Sequence, residues 1–265
     1  MLLDETRETV TSLLGFGVRD GRSVVLKLAK QAGDESHAGL VLRAFDADGA
    51  VRVYESETGA VLMERLEPGE PLVNLVRRGA DDEATRIVAQ VIEKLADHAA
   101  PQECPTVAHW GRGFDRYRQS GVQQIPAALV IEAERLYESL VRSQRRTMLL
   151  HGDLQHYNVL FDRERGWIAI DPKGVAGELE YELGALLRNP VEQPELLTNR
   201  SIIERRLQIL CDALKLDHTR VLQWSYAQAV LSAIWDVEDG YTVEPDHPAL
   251  LLAQVLRQML ATSTS

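Results

Sequence analysis

His151-Gly152-Asp153-Leu154-Gln155-His156-Tyr157-Asn158-Val159-Leu160-Phe161, followed by Ile170-Asp171-Pro172, carries the strongest signal in the chain. Thr147 to Leu150 and Trp167 to Ile170 read as short buried strands on either side of the polar segment from His151 to Gly166. A lone aspartate in a loop is usually a turn or cap residue, and a lone His-x-Asp says little. Asp153, Asn158 and Asp171 are three polar groups at set offsets, framed by apolar strands, and turn chemistry does not require that combination.

Outward from this segment the chain divides. The first 66 residues read as short strands with one helix. Val24 to Leu28 is a compact apolar run after the turn signal Arg19-Asp20-Gly21-Arg22. Ala50 to Tyr54 alternates and pairs with Ala60 to Met63 across Glu57-Thr58-Gly59, which predicts a hairpin. Asp34 to Phe45 reads as a helix with Asp34 as its N-cap. Pro68-Gly69-Glu70-Pro71 breaks the pattern, and the chain beyond it is mainly helical. Apolar residues recur at helical spacing from Ile87 to Leu95 and, behind Pro126, from Leu129 to Val141. Pro101 to Gln124 reads as loop; Val221 to Val237 and Pro248 to Leu260 read as closing helices. The expected fold class is α+β, with domains at residues 1–67, a small β-rich N-terminal lobe, and 68–265, a larger, mainly helical C-terminal lobe.

Phosphoryl transfer from a nucleoside triphosphate needs a carboxylate beside the incoming hydroxyl, oxygen ligands for Mg²⁺, and a cation on the remaining phosphates. One carboxylate and one amide oxygen suffice for Mg²⁺, which keeps several waters. The order of Asp153 and Asn158 matches the kinase catalytic loop H-R-D-L-x-x-x-N. The segment resembles the aminoglycoside phosphotransferase family, in which His-Gly-Asp-Leu-x-x-x-Asn and Ile-Asp-Pro replace the protein-kinase motifs. It is most similar to the streptomycin and hydroxyurea phosphotransferase branch, through Gly166 to Gly174, Tyr181-Glu182-Leu183 and Leu186 to Pro190.

The resemblance implies a protein-kinase-like bilobal fold and an ATP- or GTP-dependent small-molecule kinase. Asp153 would position and polarise the acceptor hydroxyl, while Asn158 and Asp171 would hold Mg²⁺. Lys27, on the strand Val24 to Leu28, resembles the lysine of the α- and β-phosphates, and Glu35 its ion-pair partner. Backbone groups of Glu64 and Leu66, in the expected interlobe hinge, would meet the adenine edge. The first-strand turn falls around Thr9 to Ser12, and Gly15-Phe16-Gly17 belongs in the second strand rather than a phosphate loop. A different chemistry, a metal hydrolase on His151, Asp153 and His156, is also open to these residues. So is a kinase-shaped nucleotide-binding or scaffold protein with little turnover.

A formal charge of −11 argues against nucleic acid as the main partner. The longest uncharged stretch, Val221 to Trp235, falls short of the roughly 18 apolar residues of a membrane span. Cys104 and Cys211 stand at no metal-ligand spacing, the start carries no signal-peptide pattern, and a cytoplasmic location is expected. From Val221 to Leu256 there is no Lys or Arg, while Asp236, Glu238, Asp239, Glu244 and Asp246 crowd the loop expected after Trp235. Such carboxylates suit a cationic acceptor, an aminoglycoside such as streptomycin or a related amino-alcohol, so Glu178, Glu180, Asp236 and Asp239 are the acceptor-binding candidates. A solvated acidic surface accounts for the same residues.

Overall fold

The computed structural model describes residues 2–30 and 37–263. The chain opens with β1 (Leu2–Glu8), β2 (Ser12–Arg19), β3 (Arg22–Ala29), α1 (Ala38–Ala44), β4 (Val53–Glu57), β5 (Ala60–Glu64) and β6 (Pro68–Pro71). There follow α2 (Val73–Arg77), α3 (Asp81–Leu95), α4 (Val107–Trp110), α5 (Arg112–Ser120) and α6 (Ala127–Arg142). The segment around His151 to Asp171 holds β7 (Met148–Leu150), β8 (Val159–Asp162), β9 (Gly166–Ala169) and β10 (Val175–Gly177). The chain closes with α7 (Leu183–Leu187), α8 (Glu195–Thr198), α9 (Arg200–Leu214), α10 (His218–Glu238) and α11 (Pro248–Ser263).

Two compact units result: residues 1–104 with 148–176, and residues 105–147 with 177–265. This division differs from the boundary read after residue 67: β8 pairs with β6, β9 packs on α3 and Ala169 bridges to Ala50, which places the His151–Asp171 segment in the first unit.

In the first unit the sheet runs β1-β2-β3-β5-β4, antiparallel at each junction. The β2–β3 turn places Asp20 and Gly21 at φ 51° and 76°, the left-handed pair that a two-residue hairpin needs. Lys27 lies mid-sheet, opposite Leu14 on one side and Val61 on the other. The expected hairpin forms, but its first strand starts at Val53. Ala50 and Val51 are buried, and this segment bonds to Ala169 instead. The Pro-Gly breaker is itself a strand: β6 pairs with β8, which pairs with β9. Phe45, Leu72, Val73, Val88, Leu149, Leu154, Val159 and Ile168 are all buried in this unit.

The second unit is helical. α10 is buried around most of its circumference, which is why Val221 to Trp235 lacks charge, and Asp217 caps it by accepting the Arg220 N–H at 3.1 Å. It extends through Asp236 and Glu238, so these residues occupy a helix end rather than the expected loop. Much of the expected loop at 101–124 is the helices α4 and α5. Thr106 caps α4, and Phe114 and Tyr117 are buried despite the polar composition around them. Tyr137 centres an aromatic cluster, with ring centroids 5.6 Å from Phe114 and 5.0 Å from Trp224, and its hydroxyl donates to the Val107 carbonyl at 2.7 Å.

Arg165, at the β8–β9 turn, pairs with Glu64 and donates to the carbonyls of Ala47 at 2.5 Å and Ala50 at 3.1 Å. It joins the end of β5 to the β8–β9 hairpin. Arg165→Ala leaves partly buried acceptors without their donor, and the expected loss is roughly 1–3 kcal/mol in urea unfolding. Arg165→Lys, which cannot reach three acceptors with one planar fork, should recover only part of it.

Candidate active site

The loop from His151 to Asn158 begins at the end of β7 and is pegged by Leu154, which is buried in the core. Asn158 uses its amide nitrogen twice, donating to the Asp153 carbonyl at 2.8 Å and to Asp153 Oδ2 at 3.1 Å. That assignment leaves its Oδ1 as the outward acceptor. The Ile170 N–H donates to the Asn158 carbonyl at 2.9 Å, which sets Asp171 beside Asn158. Asp171 has φ 61°, a left-handed conformation uncommon outside glycine.

His151 ties these pieces together. Its Nε2–H donates to the Ile170 carbonyl at 2.9 Å, and its Nδ1 accepts the Asp153 N–H at 3.3 Å. The His151 carbonyl in turn accepts the N–H groups of Lys173 at 2.9 Å and Gly174 at 3.0 Å. Both ring nitrogens are thereby committed, and the neutral tautomer carrying its proton on Nε2 is the one that fits both bonds. Burial pushes the imidazole pKa down to about 4, against an opposing pull from the Ile170 carbonyl and the Asp171 charge.

Lys27, almost fully buried, forms an ion pair with the Asp171 carboxylate. Four of the expected residues, Lys27, Asp153, Asn158 and Asp171, therefore share one locus in the first unit. Asn158 and Asp171 offer hard oxygens of the kind Mg²⁺ prefers, and the residues present fit that ion. Among the described residues no three His, Cys, Asp or Glu side chains converge as a metal cluster. Both ring nitrogens of His151 are committed to hydrogen bonds, so among the described residues His151, Asp153 and His156 do not form the ligand set of a hydrolase.

Glu35 lies outside the described residues. Glu64 ends β5 with its side chain bound to Arg165 and accepting the Arg52 N–H at 2.7 Å; its own N–H donates to the Arg52 carbonyl at 3.0 Å and is not a donor for a base edge. Leu66 follows and is buried. Sequence reasoning did not single out Gly174, which has φ 75° and would place a Cβ 2.2 Å from Val41 Cγ2, so α1 rests directly on the segment after Asp171. The signal was there in Asp-Pro-Lys-Gly, but its partner on α1 was not.

The acceptor candidates lie in the second unit and differ in kind. Glu178 is buried, 2.5 Å from Arg220 Nε, and accepts from the Trp224 indole and from the Arg145 N–H at 3.3 Å. Its carboxylate is used inside the protein, which differs from the expectation of an acceptor-facing group. Glu180 is buried too, and burial raises its carboxyl pKa. Asp236 is partly exposed and 3.2 Å from His247 Nε2. Its pKa is raised by burial, with the His247 charge opposing and Asp239 reinforcing. Asp239 is exposed at the end of α10.

Residues 4–240 match the family model described as aminoglycoside/hydroxyurea antibiotic resistance kinase. The chain belongs to this family. It is 33% identical over 232 residues to the streptomycin 3''-kinase of Klebsiella pneumoniae, covering 84% of each chain. It is 32% identical over 250 residues to the hydroxyurea phosphotransferase of Kitasatospora aureofaciens, covering 89% of this chain and 68% of that one. Among solved structures it is similar to a thermostable mutant of aminoglycoside phosphotransferase APH(4)-Ia in ternary complex with AMP-PNP and hygromycin B. That match has a TM-score of 0.67 and 14% identity and covers 100% of this chain and 96% of that one. Choline kinase LicA from Streptococcus pneumoniae matches with a TM-score of 0.63 and 16% identity, covering 98% and 95%. The chain is thus an α+β protein of kinase-like fold and a small-molecule phosphotransferase of this resistance-kinase family. No helix among the described residues is long and apolar enough to cross a membrane.

The buried neutral His151 makes stability depend on pH. Unfolded, it titrates near 6.5; folded, near 4, so between these values the unfolded chain holds a proton that the folded one does not. Acidification through that window favours unfolding, by about 2 kcal/mol from this group between pH 7 and pH 5. Urea unfolding at the two pH values should show the loss, and His151→Asn, which cannot titrate, should flatten the difference by that amount.

Proposed function

We propose that this kinase transfers the terminal phosphoryl group of ATP or GTP, bound as its Mg²⁺ complex, to a hydroxyl of a cationic small molecule. The acceptor is an aminoglycoside such as streptomycin or a related amino-alcohol. The observation carrying the reading is that Lys27, Asp153, Asn158 and Asp171 meet at one locus within one compact unit.

Asp153 accepts the hydroxyl proton as the acceptor oxygen bonds to phosphorus and the bond to the β-phosphate oxygen breaks. The Asn158 amide nitrogen holds the Asp153 carboxylate in place through Oδ2, and His151 fixes its backbone. Asn158 Oδ1 and the Asp171 carboxylate would hold Mg²⁺, which would neutralise charge on the phosphates. Lys27 holds Asp171 and supplies the cation for the α- and β-phosphates. Leu66 and the Glu64 carbonyl are left as the base-facing backbone groups of the hinge. With Glu178 committed to Arg220 and Trp224, the acceptor's cationic groups are assigned to Asp236 and Asp239. Identity to streptomycin kinases supports this acceptor class.

Asp153→Asn should stay folded and bind nucleotide, seen as an unchanged thermal shift with Mg-ATP, while kcat in a coupled ADP-release assay falls about 10²–10⁴-fold. Retained turnover in this variant, or saturable binding without ADP release by the unmodified enzyme on any acceptor, overturns the reading. Changing Asp236 and Asp239 together to Asn should raise the acceptor KM about tenfold at unchanged nucleotide affinity. An unchanged KM for a proven acceptor removes them from the site.

A further inference from the structure

The turn joining β1 to β2, Thr9-Val10-Thr11-Ser12, contains no glycine. A turn that covers a triphosphate ordinarily uses glycine to present backbone N–H groups to phosphate oxygens. Here Thr9 closes the turn on itself. Its N–H donates to the Ser12 carbonyl at 2.8 Å, and its hydroxyl accepts the Ser12 N–H at 2.9 Å and donates to the Ser12 carbonyl at 3.1 Å.

A second element acts from outside. Lys30, just past β3, donates its backbone N–H to the Thr11 carbonyl at 2.9 Å. Its ammonium donates to the Thr9 carbonyl, lies 3.4 Å from the Val10 carbonyl, and pairs with Glu8 at 2.9 Å. In a planar trans peptide the C=O and the following N–H point in opposite directions. Drawing the Thr9 and Val10 carbonyls toward one ammonium therefore turns the N–H groups of Val10 and Thr11 away from it together. Among the described residues neither N–H donates to a protein group, and both residues are exposed.

We propose that Lys30 is a positioning residue for the nucleotide: by holding the Thr9 and Val10 carbonyls it presents the N–H groups of Val10 and Thr11 as a paired donor for the triphosphate. A lysine thus fixes from outside what glycine-rich turns reach through backbone freedom. The proposal rests on the phosphotransferase reading, in which this turn covers the phosphates.

The test compares equilibrium binding of ATP and of adenosine to the full chain, by titration against a fluorescent ATP analogue, together with steady-state kinetics. Lys30→Met should weaken ATP about 5- to 10-fold and raise its KM to match, with kcat within about twofold and adenosine affinity unchanged. Lys30→Arg should restore most of the loss, and Glu8→Gln should leave ATP affinity within about twofold, since the carbonyl contacts survive. Val10→Pro deletes one of the two N–H groups at a turn position that accepts proline, and it should show the same selective loss. If Lys30→Met leaves ATP binding unchanged, or weakens ATP and adenosine alike, the positioning role is wrong while the phosphotransferase reading stands. If the unmodified protein binds no nucleotide, both fall.

Discussion

The backbone of Asp171 occupies a conformation that costs a non-glycine residue on the order of 1 kcal/mol, and the surrounding bonds hold it there. The preceding residue, Ile170, is gripped from both sides, its N–H by the Asn158 carbonyl and its carbonyl by His151. Beyond it the N–H groups of Lys173 and Gly174 close on the His151 carbonyl. The imidazole does this only while neutral, which is why its burial matters as much as its geometry. With that ring in place, main-chain bonds set the backbone around Asp153, Asn158 and Asp171, and the Asn158 amide then orients the Asp153 carboxylate. Lys27 then ties the assembly to the centre of the sheet.

The second unit solves a different problem. α10 is surrounded by helices, and its packing surface is aromatic: Trp224 meets Tyr137 and Tyr181, and Trp235 meets Trp110. Several charged groups are buried in this unit, among them Glu178, Glu180, Glu182 and Arg206. Glu178 is matched there by Arg220, the Trp224 indole and a main-chain N–H, so the desolvation cost is offset by three donors. A carboxylate in sequence proximity to a catalytic motif is thereby a structural strut, and its sequence neighbourhood alone did not reveal that.

What was legible in the sequence was local. Asp153, Asn158 and Asp171 could be read as neighbours because they fall in one short segment whose bonds run from loop to loop. Hairpin turns showed through Asp20-Gly21, and the long uncharged run showed α10. Elements whose support comes from far along the chain were hidden. β6 looked like a breaker because Pro68-Gly69 ends a pattern, yet β8 supplies its pairing. β8 itself was concealed inside the motif as three apolar residues. α5 read as loop because Phe114 and Tyr117 are its few apolar anchors among charges. Arg165 and Lys30 are ordinary surface-type residues until the carbonyls they serve are brought to them by the fold.

The contact between Gly174 and Val41 carries an evolutionary consequence. No side chain fits at 174 while a valine stands at 41, and the left-handed backbone at 174 adds a second penalty to any replacement. Substitutions at the two positions are therefore coupled: drift at 174 is blocked unless 41 first shrinks, and shrinking 41 alone opens a void beneath α1. Lineages descending from this chain are confined to a narrow mutational corridor at this point, one whose width is set by van der Waals radii and not by the reaction catalysed.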